Sequence, residues 1–357
     1  MCFRFGTFEL PGRILGLPGD RNKLIQPFVS GGKNNLSNLL GIPCSQIELK
    51  PSRDGSFSMC PLTLLYQYFL SEDCFHKHEN LFKGSVRYWS DRRMNALAFA
   101  VLGSKVFPGK DNYVDCRMGP ILDKMDDHHT LVPMILGEVM RSLSFCSTRR
   151  RAFFFGCAAL LQVWFLEHLT EFRSIRTNGY FDMDIINHYL VYCNKPNQIA
   201  TKEEWIFYLN SLTYEKIVWK ARWLLTGRLI MRCGEHHFVP LLGMHGMAAY
   251  SPSRVVRQYG LVQPVPMVED MSAWFFDFTA SNSKEQVKKG QRLWQLRRYE
   301  EIPMGEGDDK VHNYKAYRDY HLWIEASLDK NPGMVEDENP LSDTRKSNDF
   351  GWGKGIR

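Results

Sequence analysis

Apolar residues recur at helical spacing along most of the chain. After Pro61, which suits the first turn of a helix, Leu62, Leu65, Tyr66, Phe69 and Leu70 fall at i, i+3, i+4, i+7 and i+8. Met94, Leu97, Ala98, Val101 and Leu102 repeat that spacing, and Gly103 and Pro108 close the segment. Ile135, Leu136, Val139, Met140 and Leu143 form a third stripe, and the apolar run 152–169 follows a short polar break that would turn it back against the third helix. Thr201 with Glu204 matches a capping box opening a helix through Trp205 and Leu209. Trp219 and Trp223 sit one turn apart on an expected helix ending at Gly234. Further helices are expected over 284–298 and from about Lys310 to Leu328.

Strand signals are few. Phe238–Leu242 can pair with Met247–Tyr250 across a glycine-containing turn, and the proline inside FVPLL confines that strand to an edge. The pattern therefore predicts a mainly α, multi-helix globular domain with a small β-hairpin near 238–250. The domain is expected to fill residues 1–330, with a subdivision near 175–200. Residues 331–357, polar and rich in Gly, Pro, Asp and Asn, read as a disordered tail or as the cut edge of a longer protein.

Composition sharpens this picture at three points. The share of aromatic residues, 13%, is high enough to fill a substantial core. The net charge of +6 is a mild excess that permits contact with nucleic acid or an acidic partner without arguing for either. Nine cysteines, an odd number with no CxxC among them, read as reduced intracellular thiols rather than a disulfide framework. The start, MCFRFGTFELPGR, lacks the apolar run of a signal peptide. Residues 152–166 are apolar but shorter than the roughly twenty residues needed to cross a bilayer, and Gln162 interrupts them, so no membrane span is expected.

The segment Cys233–Pro266 concentrates the candidate chemistry. Cys233, His236, His237 and His245 offer sulfur and nitrogen ligands for zinc, but adjacent histidines on a strand point apart and no second matched pair exists, so turn and packing roles are expected. The GMHG run, Gly243–Gly246, lacks the lysine of a phosphate loop and reads as a tight turn with positive φ. Ser251 and Pro252 open a helix that sets Arg254 and Arg257 three apart on one face beside Gln258, suited to an anion or to structural ion pairs. Asp126, Asp127, Asp182 and Asp184 could serve two-metal catalysis only if strands brought them together. His76, His78, His128 and His129 read as polar loops. In 284–298, Lys288, Lys289, Arg292, Arg297 and Arg298 make the densest basic patch, a solvated helix with Trp294 turned inward or a nucleic-acid contact. No catalytic motif and no cofactor site emerges.

Taken together, Trp219-x3-Trp223, Cys233-Gly234, VPLLG at 239–243, Gly246, Tyr250-x-Pro252 and RQYGLVQPVP at 257–266, which includes Gly260 and Gln263, resemble the plant mobile domain family, in its retrotransposon-associated branch. LSNLLGIP at 36–43, PLTLLYQYF at 61–69, VFPG at 106–109 and YKAYRDYHLWIEASL at 314–328 agree in order. The resemblance implies a mostly helical, non-enzymatic interaction module of transposon-related origin with protein partners. It also implies a nuclear location and roles in transposon silencing and meristem maintenance. The alternative is a nucleic-acid-binding or nucleic-acid-processing protein of a mobile element. The metal motifs of the phosphatase domain fused to some relatives are absent from the sequence, and the family supplies no catalytic residues.

Overall fold

The computed structural model describes residues 23–25, 31–52, 55, 57–109, 112–125, 129–148, 153–161, 168–169, 201–213, 216–217, 219, 228–259, 261–267, 269–278, 283–301 and 316–329. The first part of the chain runs β1 (Lys23–Leu24), α1 (Lys33–Leu40), β2 (Lys50–Pro51), β3 (Ser58–Pro61), α2 (Leu62–Phe69), α3 (Glu72–Lys77) and α4 (Val86–Val101). It continues through β4 (Tyr113–Asp115), α5 (Met118–Met125), β5 (His129–Thr130) and α6 (Val132–Thr148). Then come α7 (Lys202–Asn210), β6 (Arg228–Cys233), β7 (Val239–Leu242), β8 (Gly246–Tyr250), β9 (Phe276–Asp277), α8 (Ser283–Gln295), β10 (Arg297–Glu301) and α9 (Arg318–Asp329).

The expectation of a mainly α domain with one hairpin is thus corrected: the protein is mixed α/β. Its described strands form β2–β3–β4 and β7–β8–β9 sheets, a β6–β10 ribbon and a short parallel β1–β5 pair. Residues 228–233, expected to finish a helix, are a strand whose register sets Cys233 opposite Arg297 and Arg228 opposite Glu301. Gly234 then takes φ +59 in a turn rather than after a helix. Residues 297–301 likewise leave the helix and pair with β6. Short charged strands such as RLIMRC and RRYEE gain their stability from each other, and their own sequences carry little local preference.

Two packing layers share one core. In the first, α1, α2, α4 and α5 surround β2–β4. Side chains of α4 close the end of α1: Arg92 donates to Asn38 O (2.8 Å) and Asn95 to Leu39 O (3.1 Å), satisfying carbonyls that a helix end leaves open. Trp89 donates to Tyr68 O (3.0 Å) and packs inward with Ala96 and Phe99. The residues expected to face the core partly face out: Tyr66, Leu70, Met94, Leu97 and Val101 are exposed. Both sides of α4 are apolar, so spacing alone cannot choose between them. After Val101 the helix widens into a π-turn, Leu102–Val106, where a Cβ on Gly103 would overlap Val114.

In the second layer α6 and α8 both pack on the β7–β8–β9 sheet, and every residue of β7 and β8 is buried. Burial on both faces explains an unbroken apolar run in place of alternation. The expected hairpin is present, with Val239 opposite Tyr250 and Leu242 opposite Met247, and Pro240 lies on the edge strand. The Thr201–Glu204 capping box also forms. Phe153–Cys157, expected to be helical, have no regular structure, and residues 162–167 lie outside the described set. So do 170–200, which hold the expected subdivision, and the tail 331–357. No described helix is long and apolar enough to cross a membrane.

The tightest approach in this layer is between Gly137 and the sheet. A Cβ on Gly137 would lie 2.8 Å from Gly243 N and 3.1 Å from Leu241 O, both backbone atoms that cannot step aside. Gly137→Ala is therefore expected to lower stability by about 1–3 kcal/mol in urea denaturation. Gly32→Ala, whose added Cβ meets nothing within 4 Å, serves as the control.

Candidate functional site

The polar centre of the molecule is built on α6, whose residues 132–140 are all buried. Glu138, 1% exposed, stands in that apolar run. One carboxylate oxygen accepts the backbone N–H of His245 (2.7 Å), and the other accepts from Arg141 one turn along (2.8 Å). Arg141 reaches on to Asp277 of β9 (2.7 Å). The His245 ring lies between two carboxylates, with Nδ1 3.6 Å from Glu138 and Nε2 3.8 Å from Asp115. Asp115, at the end of β4, is gripped by the guanidinium of Arg117 (Nε to Oδ2 2.9 Å), which also donates to Met244 O (3.3 Å). Phe57 lies under that guanidinium at 4.1 Å. The 243–246 turn is thus held by its N–H from one side and its C=O from the other.

Gly243 and Gly246 serve this turn differently from the expectation. Neither belongs to the described glycines with positive φ, which are Gly41, Gly55, Gly84 and Gly234. They are needed for closeness: a Cβ on Gly243 would sit 2.5 Å from a Glu138 oxygen, and one on Gly246 would sit 2.5 Å from Phe276 O. Burial alone would push the Glu138 carboxyl up. Hydrogen bonding and charge from His245, together with Arg141, outweigh it and hold the group at about 2. A carboxylate so acidic is a fixed anion, unsuited to proton transfer near neutrality.

A second polar assembly gathers Arg257. Pro252–Tyr259 form a 3-10 stretch broken at Val255 (φ −137), so Arg254 and Arg257 do not share one helical face. Arg257 is 3% exposed. Its guanidinium lies 3.6 Å over Trp219 and 5.0 Å from Tyr320, and it donates to the Tyr320 hydroxyl (3.3 Å). Arg254 lies 6.0 Å from the Trp323 ring, which stacks on Tyr320. The π faces of aromatic rings hold a cation well when water is excluded. Gln263, fully buried, donates to Ser253 O and Pro264 O (2.9 Å each) and accepts the Arg257 N–H (3.4 Å). Gln258 is buried beside it, and Tyr250 meets Tyr259 hydroxyl to hydroxyl (3.2 Å). Pro252 is buried at the start of the stretch, whereas Trp223 and Gly260 lie outside the described residues.

The four zinc candidates are not brought together. Cys233 is buried on β6, and burial pushes its thiol up to about 12. His236 pairs through Nδ1 with Glu269 and packs against Phe238 and Trp274. The His237 backbone N–H donates to the other oxygen of Glu269 (3.0 Å), and His245 belongs to the Glu138 assembly. No group of three or more His, Cys, Asp or Glu among the described residues is placed to hold a metal. Asp126, Asp127, His128, Asp182 and Asp184 lie outside the described residues. The cysteines at 44, 60, 74, 116, 146, 157 and 233 are free thiols.

In the basic segment, Lys288, Lys289 and Arg292 are exposed on α8 while Val287, Leu293 and Trp294 are buried, so Trp294 does turn inward. Arg297 and Arg298 stand on β10 instead of continuing the helix. Asp115, Arg117, Glu138, Arg141, Glu269 and Asp277 carry no motif in the sequence, and Tyr320 stands there only within the 314–328 block. Only Glu138 leaves a local signal, as a lone acid after glycine inside VPMILGEVM.

Residues 85–328 match the family described as a domain of unknown function, DUF7745. The chain belongs to this family. No curated protein and no solved structure matches the chain. The DUF7745 span opens at Ser85, which caps α4 by accepting the Tyr88 N–H, and it closes within α9. It therefore contains the charged groups of both assemblies, from Asp115 to Tyr320, while Phe57 under Arg117 precedes it.

The Glu138 linkage has a defined pH signature. Its folded value lies below the ordinary 4.5, so its stabilisation is complete above about pH 4.5 and is lost as pH falls toward 2. Glu138→Gln should cost on the order of 3 kcal/mol at pH 7 and flatten the decline of stability between pH 5 and 2. Denaturant unfolding across that range measures both, and a variant keeping the wild-type acid slope would contradict the assembly described.

Proposed function

We propose that the chain is a non-enzymatic interaction module, kin to the retrotransposon-associated plant mobile domain proteins, that works through a protein partner in the nucleus. The residues that looked chemical are engaged internally: His245 is framed by two carboxylates, Glu138 is a fixed anion and Cys233 is a buried thiol. The observation that carries the proposal is the outward side of α4. Val86, Met94, Leu97 and Val101 line it, each between 44% and 64% exposed. Arg93 donates to Leu70 O (3.2 Å), tying on the end of α2 with its exposed Tyr66 and Leu70.

Exposed apolar side chains gathered on one side of a helix, here interrupted only by Ser90, favour a partner. Arg87 and Arg93 flank the row on either side of the helix, which selects by charge. The partner's chemistry is accordingly an amphipathic helix whose apolar stripe is bordered by acidic residues. The resemblance in the 219–266 block supports the kinship, and the nuclear setting follows from that kinship alone.

The double variant Met94→Asp, Leu97→Asp should keep the wild-type circular dichroism and unfolding midpoint, because both side chains face solvent. In nuclease-treated plant nuclear extract it should retain at most about a tenth of the protein captured by wild type, the loss expected when a central apolar contact is removed. Arg87→Glu should reduce capture of the same species. Unchanged capture by the double variant, or magnesium-dependent DNA cleavage by the purified chain, would overturn the proposal.

A further inference from the structure

We infer that the face formed by α8 and the β6–β10 ribbon docks a single-stranded nucleic acid through its phosphates, with Tyr299 offering a ring to a base. The charge distribution is the first ground. Residues 284–298 hold six basic side chains against the single acid Glu285, so a net +5 of the chain's +6 resides in fifteen residues. The rest of the chain is close to neutral, and this excess is therefore a local feature of the surface.

Geometry gives the excess a shape. Lys284, Lys288 and Arg292 recur at i, i+4 and i+8, one line of exposed cations along α8, spaced about 6 Å per step by the helix rise. Lys289 stands beside them above Trp274 (4.9 Å). The helix ends into β10, where Arg298 pairs directly across from Arg232 of β6. Two like charges on one rung of a ribbon repel each other, and an anion between them relieves that repulsion. Among the described residues Arg298 is paired with Glu235 at 3.7 Å, itself 91% exposed, and so screened a contact holds it weakly. Arg297 is fixed by donating to Trp294 O (3.2 Å) and to the Tyr299 hydroxyl (2.9 Å), which holds the half-exposed Tyr299 ring beside this one arginine.

The mounting of α8 decides among anionic partners. Val287, Leu293 and Trp294 are buried in the core, and a Cβ on Gly290 would fall 2.8 Å from the Met247 sulfur, so the helix is seated on the sheet by its apolar side. A helix whose apolar side is already buried cannot insert into a lipid surface. What remains is a rigid cationic track ending at an exposed aromatic ring, the combination that holds single strands by phosphate neutralisation and base stacking. Arg257 takes no part, since it is enclosed by Trp219 and Tyr320.

The test is fluorescence anisotropy of the full chain with a labelled twelve-nucleotide oligothymidine. Wild type should bind at 50 mM salt and weaken steeply toward 200 mM, in proportion to the phosphates neutralised. Lys288→Glu, Arg292→Glu, Arg298→Glu should lose at least tenfold in affinity, while Lys77→Glu, an exposed basic site elsewhere, should bind as wild type. Tyr299→Ala should lose about fivefold or more with its salt slope unchanged, which an electrostatic or folding defect alone does not give. The Met94→Asp, Leu97→Asp variant should bind normally, separating this surface from the one on α4. Absence of binding at 50 mM salt overturns the inference. So does equal competition by duplex DNA or by anionic phosphatidylserine vesicles, or full binding by the triple variant.

Discussion

Glu138 makes the second layer of this protein possible. A carboxylate buried among Met134, Ile135 and Val139 would be untenable alone, because desolvating the charge costs several kcal/mol. Here both its oxygens have partners, the His245 N–H on one and Arg141 on the other. The neighbouring Asp115–Arg117 pair grips the opposite side of the same turn through Met244 O. Helix α6, the β7–β8 turn, β9 and the end of β4 therefore meet at one set of charges. The glycines at 137, 243 and 246 exist to let these partners come close enough. A side chain on any of them would drive apart the backbone whose polar groups the charges need.

What the sequence revealed follows the range over which each interaction acts. The 238–250 hairpin, its edge proline and the Thr201–Glu204 box join residues a few positions apart, and local pattern displays them. The β6–β10 ribbon joins segments more than sixty positions apart, and neither strand is apolar enough to announce itself. The spacing over 94–102 predicts a helix there but not the inward side of α4, since Trp89, Ala96 and Phe99 on one side compete with Met94, Leu97 and Val101 on the other. The polar assemblies were the least legible. Asp115, Glu138, His245 and Asp277 come from four elements, and their only common property is where the fold puts them. The arginine pair was noticed for its charge, yet Arg257 is used for its planarity, stacked on Trp219.

The two surfaces proposed as binding faces differ in kind and are mounted on different layers. The row on α4 is apolar and belongs to the layer around β2–β4, whereas the cationic track belongs to the β6–β10 ribbon and α8. One core connects them, so a partner on either face meets a surface already shaped before it arrives. Glu138 and Arg257 lie inside the fold, while the two outer faces carry contrasting chemistry, one apolar and one cationic.

The Arg257 enclosure also sets an order of events during synthesis. Its walls are Trp219 and Tyr320, separated by about a hundred residues, and Tyr317 N–H further seals the region by donating to Gln263 O (3.0 Å). A growing chain emerging from the ribosome can assemble the layer around α4 early. The arginine's cage, however, stays open until α9, which carries Tyr320, has left the exit tunnel. A chain that stops short of Tyr320 lacks both the second wall of this cage and the hydroxyl that accepts from Arg257.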